Sequence, residues 1–349
     1  MSRAEDLTPR RAASRYLDSR RTEVTESTYS TYRYRLKLFV EWCEREGISR
    51  VGDLDGWAID EFRAFRAGEG VSASTLHNEL DTLSLFAEYL DRIEATDDLA
   101  DSVEVPSVPK DERSRDVKLE PKRAIDLIRS YRNSEEDYGR RYHALLEIAW
   151  HTGARIGAIR GLDLRDVNVE SRYLSFEHRP ETDTPLKKKD NGERLAGIGE
   201  GVASALQAYI GTHREDAHDE YGRQPLFVTI QGNRPSASAM RSWMYQATWP
   251  CRFVACPHGH DPPTCEYKNY TSASGCPSAR APHHVRTGSL SWHRDRGIPA
   301  DVLQERANAS EGTIAEYYDK STKRERLEHR RRKYLDNLDI ENDDNDPHE

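Results

Sequence analysis

Apolar residues recur at helical spacing through the first quarter of the chain. Ala12 to Leu17 carries a short pattern of this kind inside a polar, Arg-rich stretch spanning residues 1–24. Tyr29, Tyr32, Leu36, Phe39, Val40 and Cys43 then share one stripe, which Gly47 ends. A second helix is predicted from Ala58 to Arg66. A third places Leu76, Leu80, Leu83, Phe86 and Leu90 on one face. No alternating pattern interrupts them, so residues from about 8 to 95 read as a small helical bundle, with the domain proper over 25–95.

Periodicity is lost over residues 96–120, which carry Pro106, Pro109 and dense charge and read as a linker. Beyond it the pattern is mixed. Helices are predicted over 121–132 and 137–151, then a tight turn at Gly153 and a helical piece through Leu162. Short strand-like runs follow at Tyr173–Phe176, Arg194–Ile198 and Leu226–Ile230, with helices near 201–213 and 237–247. The pattern is helical again from His283 to Asp295 and in short pieces to Tyr318. The predicted class is therefore mainly α with a small β-sheet: a helical domain, a linker, and a mixed α/β domain over 121–335. A Cys-rich insertion at 250–277 interrupts that second domain, and an acidic tail, 336–349, closes the chain.

Composition narrows the setting. Mean hydropathy is −0.89, and no run approaches the roughly 20 apolar residues of a membrane span. No apolar stretch follows Met1, so a cytoplasmic protein is expected. Acidic residues outnumber basic ones by 61 to 52, giving a net charge of −9, yet 41 of the 52 basic residues are arginine. That balance resembles proteins of salt-loving microbes, where screening weakens plain charge attraction and bidentate arginine contacts matter more. Net acidity thus does not exclude a nucleic-acid partner.

Three short segments carry candidate chemistry. His151-Thr152-Gly153-Ala154-Arg155 joins a helix end to a glycine turn and an arginine. Pro282-His283-His284-Val285-Arg286 puts His283 and Arg286 on one helical face. Glu316-Tyr317-Tyr318-Asp319 precedes a basic stretch. Singly, each has an ordinary structural account: a helix stop before a surface arginine, a solvated His and Arg, a packed Tyr pair. Lys187-Lys188-Lys189-Asp190-Asn191-Gly192-Glu193-Arg194 reads as a basic hairpin with an Asn-Gly turn.

Taken in order, these segments resemble the tyrosine recombinase (phage integrase) family, in its archaeal, halophile-like branch. The resemblance implies a helical core-binding domain and a catalytic domain that clamp duplex DNA. It makes Arg155 the first catalytic arginine, His283 and Arg286 the His-x-x-Arg pair, and Tyr318 the nucleophile, with Tyr317 the alternative at the commoner spacing. Lys189, five residues before Arg194, matches the family's catalytic lysine; Lys187, on the same strand face, is the alternative. Two positions depart from the family: Ala158 replaces an acidic residue, and Asn308 replaces a phosphate-contacting His or Trp.

The implied activity is breakage and rejoining of double-stranded DNA through a 3′-phosphotyrosyl link, on a tetramer holding two duplexes. Two arginines would hold the charge developing on the non-bridging oxygens. A lysine would protonate the leaving 5′ oxygen, and His283 would assist a phenol whose ordinary pKa is about 10. No cofactor is required for that chemistry. A DNA-binding regulator on the same fold, or a type IB topoisomerase-like enzyme, is the alternative.

Cysteine usage adds one further feature. Cys251, Cys256, Cys265 and Cys276 fall within 26 residues, with His258 and His260 among them. In a cytoplasmic chain this pattern points to a structural zinc on the four thiols, with either histidine as an alternate ligand, the alternatives being free buried thiols or oxidative pairing. Cys43 lies on a helix stripe and reads as core.

Overall fold

The computed structural model describes residues 6–108 and 117–314, with 323–328, 332 and 335 beyond them. The chain divides into two compact units, Met1–Arg115 and Asp116–Glu349.

The first unit is helical. Helices α1 (Pro9–Arg20), α2 (Glu26–Glu46), α3 (Gly56–Gly68) and α4 (Ala73–Arg92) are capped by Thr8, Thr25, Asp55 and Ser72, whose side-chain oxygens each accept a first-turn amide. Their stripes meet in one core built on Tyr16, Leu36, Phe39, Phe62, Leu80, Phe86 and Leu90. Phe39 and Phe62 meet edge-on at 5.1 Å. Two sequence boundaries move. Ala12, Ala13, Tyr16 and Leu17 are buried in this core, so residues 9–20 belong to the bundle rather than to a separate polar segment. Leu99 and Val103 pack there too, which shortens the linker from its start.

The second unit is built around a helix buried on nearly every side. Helix α5 (Pro121–Asn133) leads to α6 (Arg141–Thr152), where Ala144, Leu145, Leu146, Ile148, Ala149 and Trp150 are all buried. The buried carboxylate of Glu147 on α6 is held by Arg132 (2.6 Å) and His143 (3.2 Å). Helix α7 (Ile156–Gly161) precedes a three-stranded antiparallel sheet, β1 (Val167–Asn168), β2 (Tyr173–Phe176) and β3 (Arg194–Gly197), in sequential order. Then come α8 (Glu200–Ala208), α9 (Ala237–Ala247), α10 (Pro282–Asp295) and α11 (Ala300–Ala307). Leu119 is fully buried in this unit's core, and its amide donates to His284 O at 2.9 Å, so the linker is shortened from its other end as well.

Two local expectations fail. Leu226–Ile230 forms no strand. Leu226, Phe227 and Val228 are buried and apolar, but they descend through a single bridge between Asp163 and Pro225 into a turn closed by Thr229 and Gly232. The run reads as a strand because it is buried, not because it pairs. Nor does Asn191-Gly192 make a two-residue hairpin turn: Lys189–Gly192 forms a short 3-10 turn within a longer connection between β2 and β3. The acidic tail 336–349 lies outside the described residues, as do Tyr317 and Tyr318.

Candidate active site

The site begins where α6 stops. Gly153 is left-handed (φ 60°) and caps the helix, and a Cβ there would come within 2.6 Å of Leu290 Cδ2. Thr152 Oγ1 accepts the Ala154 amide, and Arg155 follows as the residue capping α7. The turn thus delivers Arg155 to a fixed place two residues beyond the glycine.

Arg286 meets that turn from α10. It is 2% exposed, and its Nη1 donates both to Gly153 O and to Ala307 O (2.7 Å). Arg155 Nη1 donates to Asn308 O at 2.6 Å. Both guanidiniums are therefore held at the C-terminal end of α11, where helix carbonyls lack partners and the dipole favours cations. A third arginine completes the row: Arg194 Nε donates to Arg306 O at 2.9 Å. Three consecutive carbonyls, 306 to 308, each receive a different arginine.

Arg194 was not a sequence candidate. Its Nη1 donates to Gly192 O, its guanidinium lies 4.2 Å over the Phe176 ring, and its buried Nη2 has no hydrogen-bond partner among the described residues. Burial, then the charges of Arg286, Arg155 and Arg306, lower its pKa to about 10, so it stays charged at neutral pH. Arg306 is also half-buried, and its side chain returns to His151 O at the end of α6 (3.0 Å). For Arg194 and Arg306 the one sequence hint is the excess of arginine in an acidic chain.

Among the described residues, Arg155, Arg194 and Arg306 have no carboxylate partner. The same unit shows the opposite pattern nearby. Arg179, Arg223 and Arg234 converge on the buried Asp163, with Asp166 and Asp219 in support. One arginine group is neutralised by carboxylates; in the other, Arg155 and Arg194 are held by carbonyls and, among the described residues, keep their positive field. That field suits an incoming anion.

His283 stands at the exposed rim, three residues before Arg286. Partial burial and the charges of Arg286, Arg155 and Lys187 lower its pKa, favouring the neutral imidazole that can accept a proton. Lys187 is thus the lysine whose charge is felt at the site. Lys189 sits exposed in the adjoining turn with φ 52°. Asn308 is buried in the left-handed region (φ 51°), where Asn is tolerated. It meets Arg155 through its carbonyl, while its side chain lies against the lysine-bearing turn: a Cβ at Gly192 would stand 2.7 Å from Asn308 Nδ2. Ala158 is buried on α7. The structure gathers Arg155, Arg286 and Asn308, with His283 three residues before Arg286 and within reach of the Lys187 charge; the candidate nucleophiles lie outside the described residues.

The cysteine segment lies between α9 and α10. Among the described residues, no three His, Cys, Asp or Glu side chains stand in position to hold a metal ion together. His258 Nε2 pairs with Ser278 Oγ at 2.9 Å, and His260 packs edge-on against Tyr267 at 6.1 Å. No helix among the described residues is long and apolar enough to cross a membrane.

Residues 119–325 match the phage integrase family. Tyrosine recombinase XerD of Staphylococcus saprophyticus is 25% identical over 217 residues, which span 62% of this chain and 69% of that protein. Tyrosine recombinase XerC of Pseudomonas putida is 26% identical over 227 residues, spanning 63% and 69%. About two thirds of each relative is therefore matched. Among solved structures, the Tn1549 transposon integrase in complex with a circular intermediate DNA aligns with TM-score 0.66 at 15% identity, covering 95% of this chain and 99% of that one. A lambda integrase dimer bound to a COC′ core site aligns with TM-score 0.60 at 13% identity, covering 89% and 77%. These two likenesses are of fold.

Proposed function

Because the chain belongs to the phage integrase family, and is a site-specific tyrosine recombinase, we propose that it cuts and rejoins duplex DNA at the Arg155–Arg286 cluster through a 3′-phosphotyrosyl intermediate. The observation that carries this reading is the convergence of Arg155 and Arg286 on adjacent carbonyls, with no carboxylate on Arg155 or Arg194 among the described residues. A scissile phosphate entering there would bring the negative charge that Arg155 and Arg194 lack among the described residues. Its non-bridging oxygens would take bidentate donors from the arginines, and those donors would strengthen as charge builds in the transition state.

Tyr318 is the proposed nucleophile, with Tyr317 the alternative. The neutral His283 would help remove the phenol proton. Lys187 is supported as the donor to the leaving 5′ oxygen by its influence on His283; Lys189 is supported by its spacing from Arg194. The broken bond's energy would be kept in the tyrosyl ester, so rejoining would need no external energy source. Exchange between two duplexes needs four cleavages, which supports a tetramer on synapsed DNA. The arginine-rich, acidic composition supports a salt-rich cytoplasm of a halophile-like archaeal host.

The test is a nicked suicide duplex carrying sites that flank the gene, incubated with the protein in buffer without added divalent metal. A denaturant-resistant, protease-sensitive adduct on Tyr318 or Tyr317 is expected. Sequence-specific binding with no adduct at any salt concentration would mark a DNA-binding regulator. Relaxation of plasmids without a preferred sequence would mark a topoisomerase-like enzyme.

A further inference from the structure

Residues 177–193, which connect β2 to β3, carry both candidate lysines. Their regular structure is limited to a 3-10 turn at Pro180–Thr182, a bridge between Arg179 and Thr184, and the turn at Lys189–Gly192. Lys187, Lys188 and Lys189 are exposed, whereas Thr184 and Leu186 before them and Gly192 after them are buried. The Leu186 amide donates to His178 Nδ1 at 2.9 Å. A proton donor on such a connection works only if the connection is fixed against the arginine cluster, because a misplacement of about 1 Å is costly.

Arg223 reaches this connection from a separate loop. Its side chain is 9% exposed and all three of its nitrogens donate. Nε donates to Asp163 Oδ2 at 2.7 Å, and Nη2 to Gly161 O at 3.1 Å. Nη1 donates to the hydroxyls of Thr182 and Thr184, the second at 2.8 Å. Gly161 is the last residue of α7, the helix that Arg155 caps. One rigid, planar group thus spans from that helix to the turn preceding the lysines. Arg223 is itself pinned: its amide donates to Asp219 Oδ1 (2.9 Å) and its carbonyl accepts the Asp219 amide (2.8 Å).

Charge balance does not explain this arginine. Arg179 and Arg234 already face Asp163, so its carboxylate is neutralised without a third. What Arg223 adds is the pair of threonine hydroxyls. Arg160 of α7 makes an outer tie to the same turn, donating to Asp183 O at 2.6 Å, but the Asp183 carboxylate it also meets is exposed. Lys187 follows Thr184 by three residues, about 10 Å of chain at most. The clasp therefore limits where the lysines can stand, and the Lys187 charge does reach His283.

We infer that Arg223 is a positioning residue for the proton donor: by tying Thr182 and Thr184 to the end of α7, it sets the lysine-bearing connection against the phosphate that Arg155 holds. The inference rests on the recombinase reading above. In that reaction the tyrosine oxygen bonds to phosphorus and its proton passes to His283. The bond from phosphorus to the 5′ oxygen breaks, and a lysine ammonium gives its proton to that departing oxygen. Arg223 touches none of the reacting atoms. Its loss leaves Arg155 and Arg286 on their carbonyls and displaces the acid alone.

The test is single-turnover adduct formation by the full chain on two nicked duplexes, identical except that one carries sulfur for the bridging 5′ oxygen at the mapped cleavage point. A thiolate, with an ordinary thiol pKa of about 8.5, leaves without a proton and needs no acid. Arg223→Met should form adduct about 10–100-fold more slowly on the oxygen duplex. On the sulfur duplex it should stay within about threefold of wild type. Thr182→Val/Thr184→Val keeps the Arg223–Asp163 pair and cuts only the tie to the connection. It should show the same contrast, and it decides the matter if Arg223→Met does not fold. Lys187→Ala/Lys189→Ala sets the pattern of a missing acid. Equal slowing on both duplexes would mark a merely structural role and overturn the proposal. So would a wild-type rate on the oxygen duplex in either clasp variant, or a lysine variant without the contrast. No adduct from wild type on either duplex would instead overturn the recombinase reading beneath it.

Discussion

Arg194 Nε lies 2.9 Å from Arg306 O, one carbonyl before the one that holds Arg286 and two before the one that holds Arg155. Arg194 therefore acts as a positioning residue: it fixes the end of α11 on which the two family arginines rest. Replacing it by Met should slow single-turnover cleavage about 10–100-fold, the effect of misplacing fixed donors. DNA affinity at constant salt should stay within about threefold, since Arg194 contributes little surface charge. A fall in affinity that matches the fall in cleavage would show instead that Arg194 binds DNA directly.

The lysine-bearing turn and Asn308 are joined by a close approach. Gly192→Ala drives a methyl to 2.7 Å from Asn308 Nδ2 and 3.2 Å from Leu186 Cβ, an overpacking worth about 1–3 kcal/mol. Asn308→Gly keeps the left-handed backbone and removes the amide. In a double-mutant cycle read by denaturant unfolding, the second change should recover a large part of the first's cost. Strict additivity would show that the two positions do not touch.

Much of this architecture is legible in the sequence, and the reason is physical. The stripes of α2 and α4 and the pattern of α9 are local, so periodicity finds them, and Gly47 and Gly153 mark the stops of α2 and α6. Arg155, His283 and Arg286 are legible only as an ordered set, since each alone looks like surface. The Arg194 contact is invisible because it is made to a backbone carbonyl 112 residues away. Leu226–Ile230 misleads for a related reason: burial without pairing leaves the same apolar run as a strand.

His151 gives the fold an acid-side weakness. Burial, then the charges of Arg306 and His293, lower its pKa from 6.5 to about 4, and its Nε2 accepts the Gly199 amide at 3.0 Å. The unfolded chain binds this proton as pH falls below 6.5, whereas the folded chain resists it until about 4. Stability from this group is thus complete above pH 6.5 and is lost progressively down to pH 4. His151→Gln, which can still accept that amide, should flatten the pH dependence of thermal unfolding in that window. Equal slopes for the two proteins would contradict the assignment.

The scarcity of lysine beside 41 arginines and a net charge of −9 gives a further expectation. The fold should melt at higher temperature in about 2 M KCl than in dilute buffer, because screening relieves acidic self-repulsion. Circular dichroism melts in both buffers decide it, and a lower melting temperature at high salt would refute it.

The most direct measurement is the rate of covalent adduct formation on a nicked duplex by wild type, Arg155→Lys and Arg286→Lys at saturating protein. Lysine keeps the charge but not the fork, so each variant should form adduct at least about 100-fold more slowly while still binding the duplex. Adduct formation at the wild-type rate in either variant would remove that guanidinium from the reaction and contradict the account of the site.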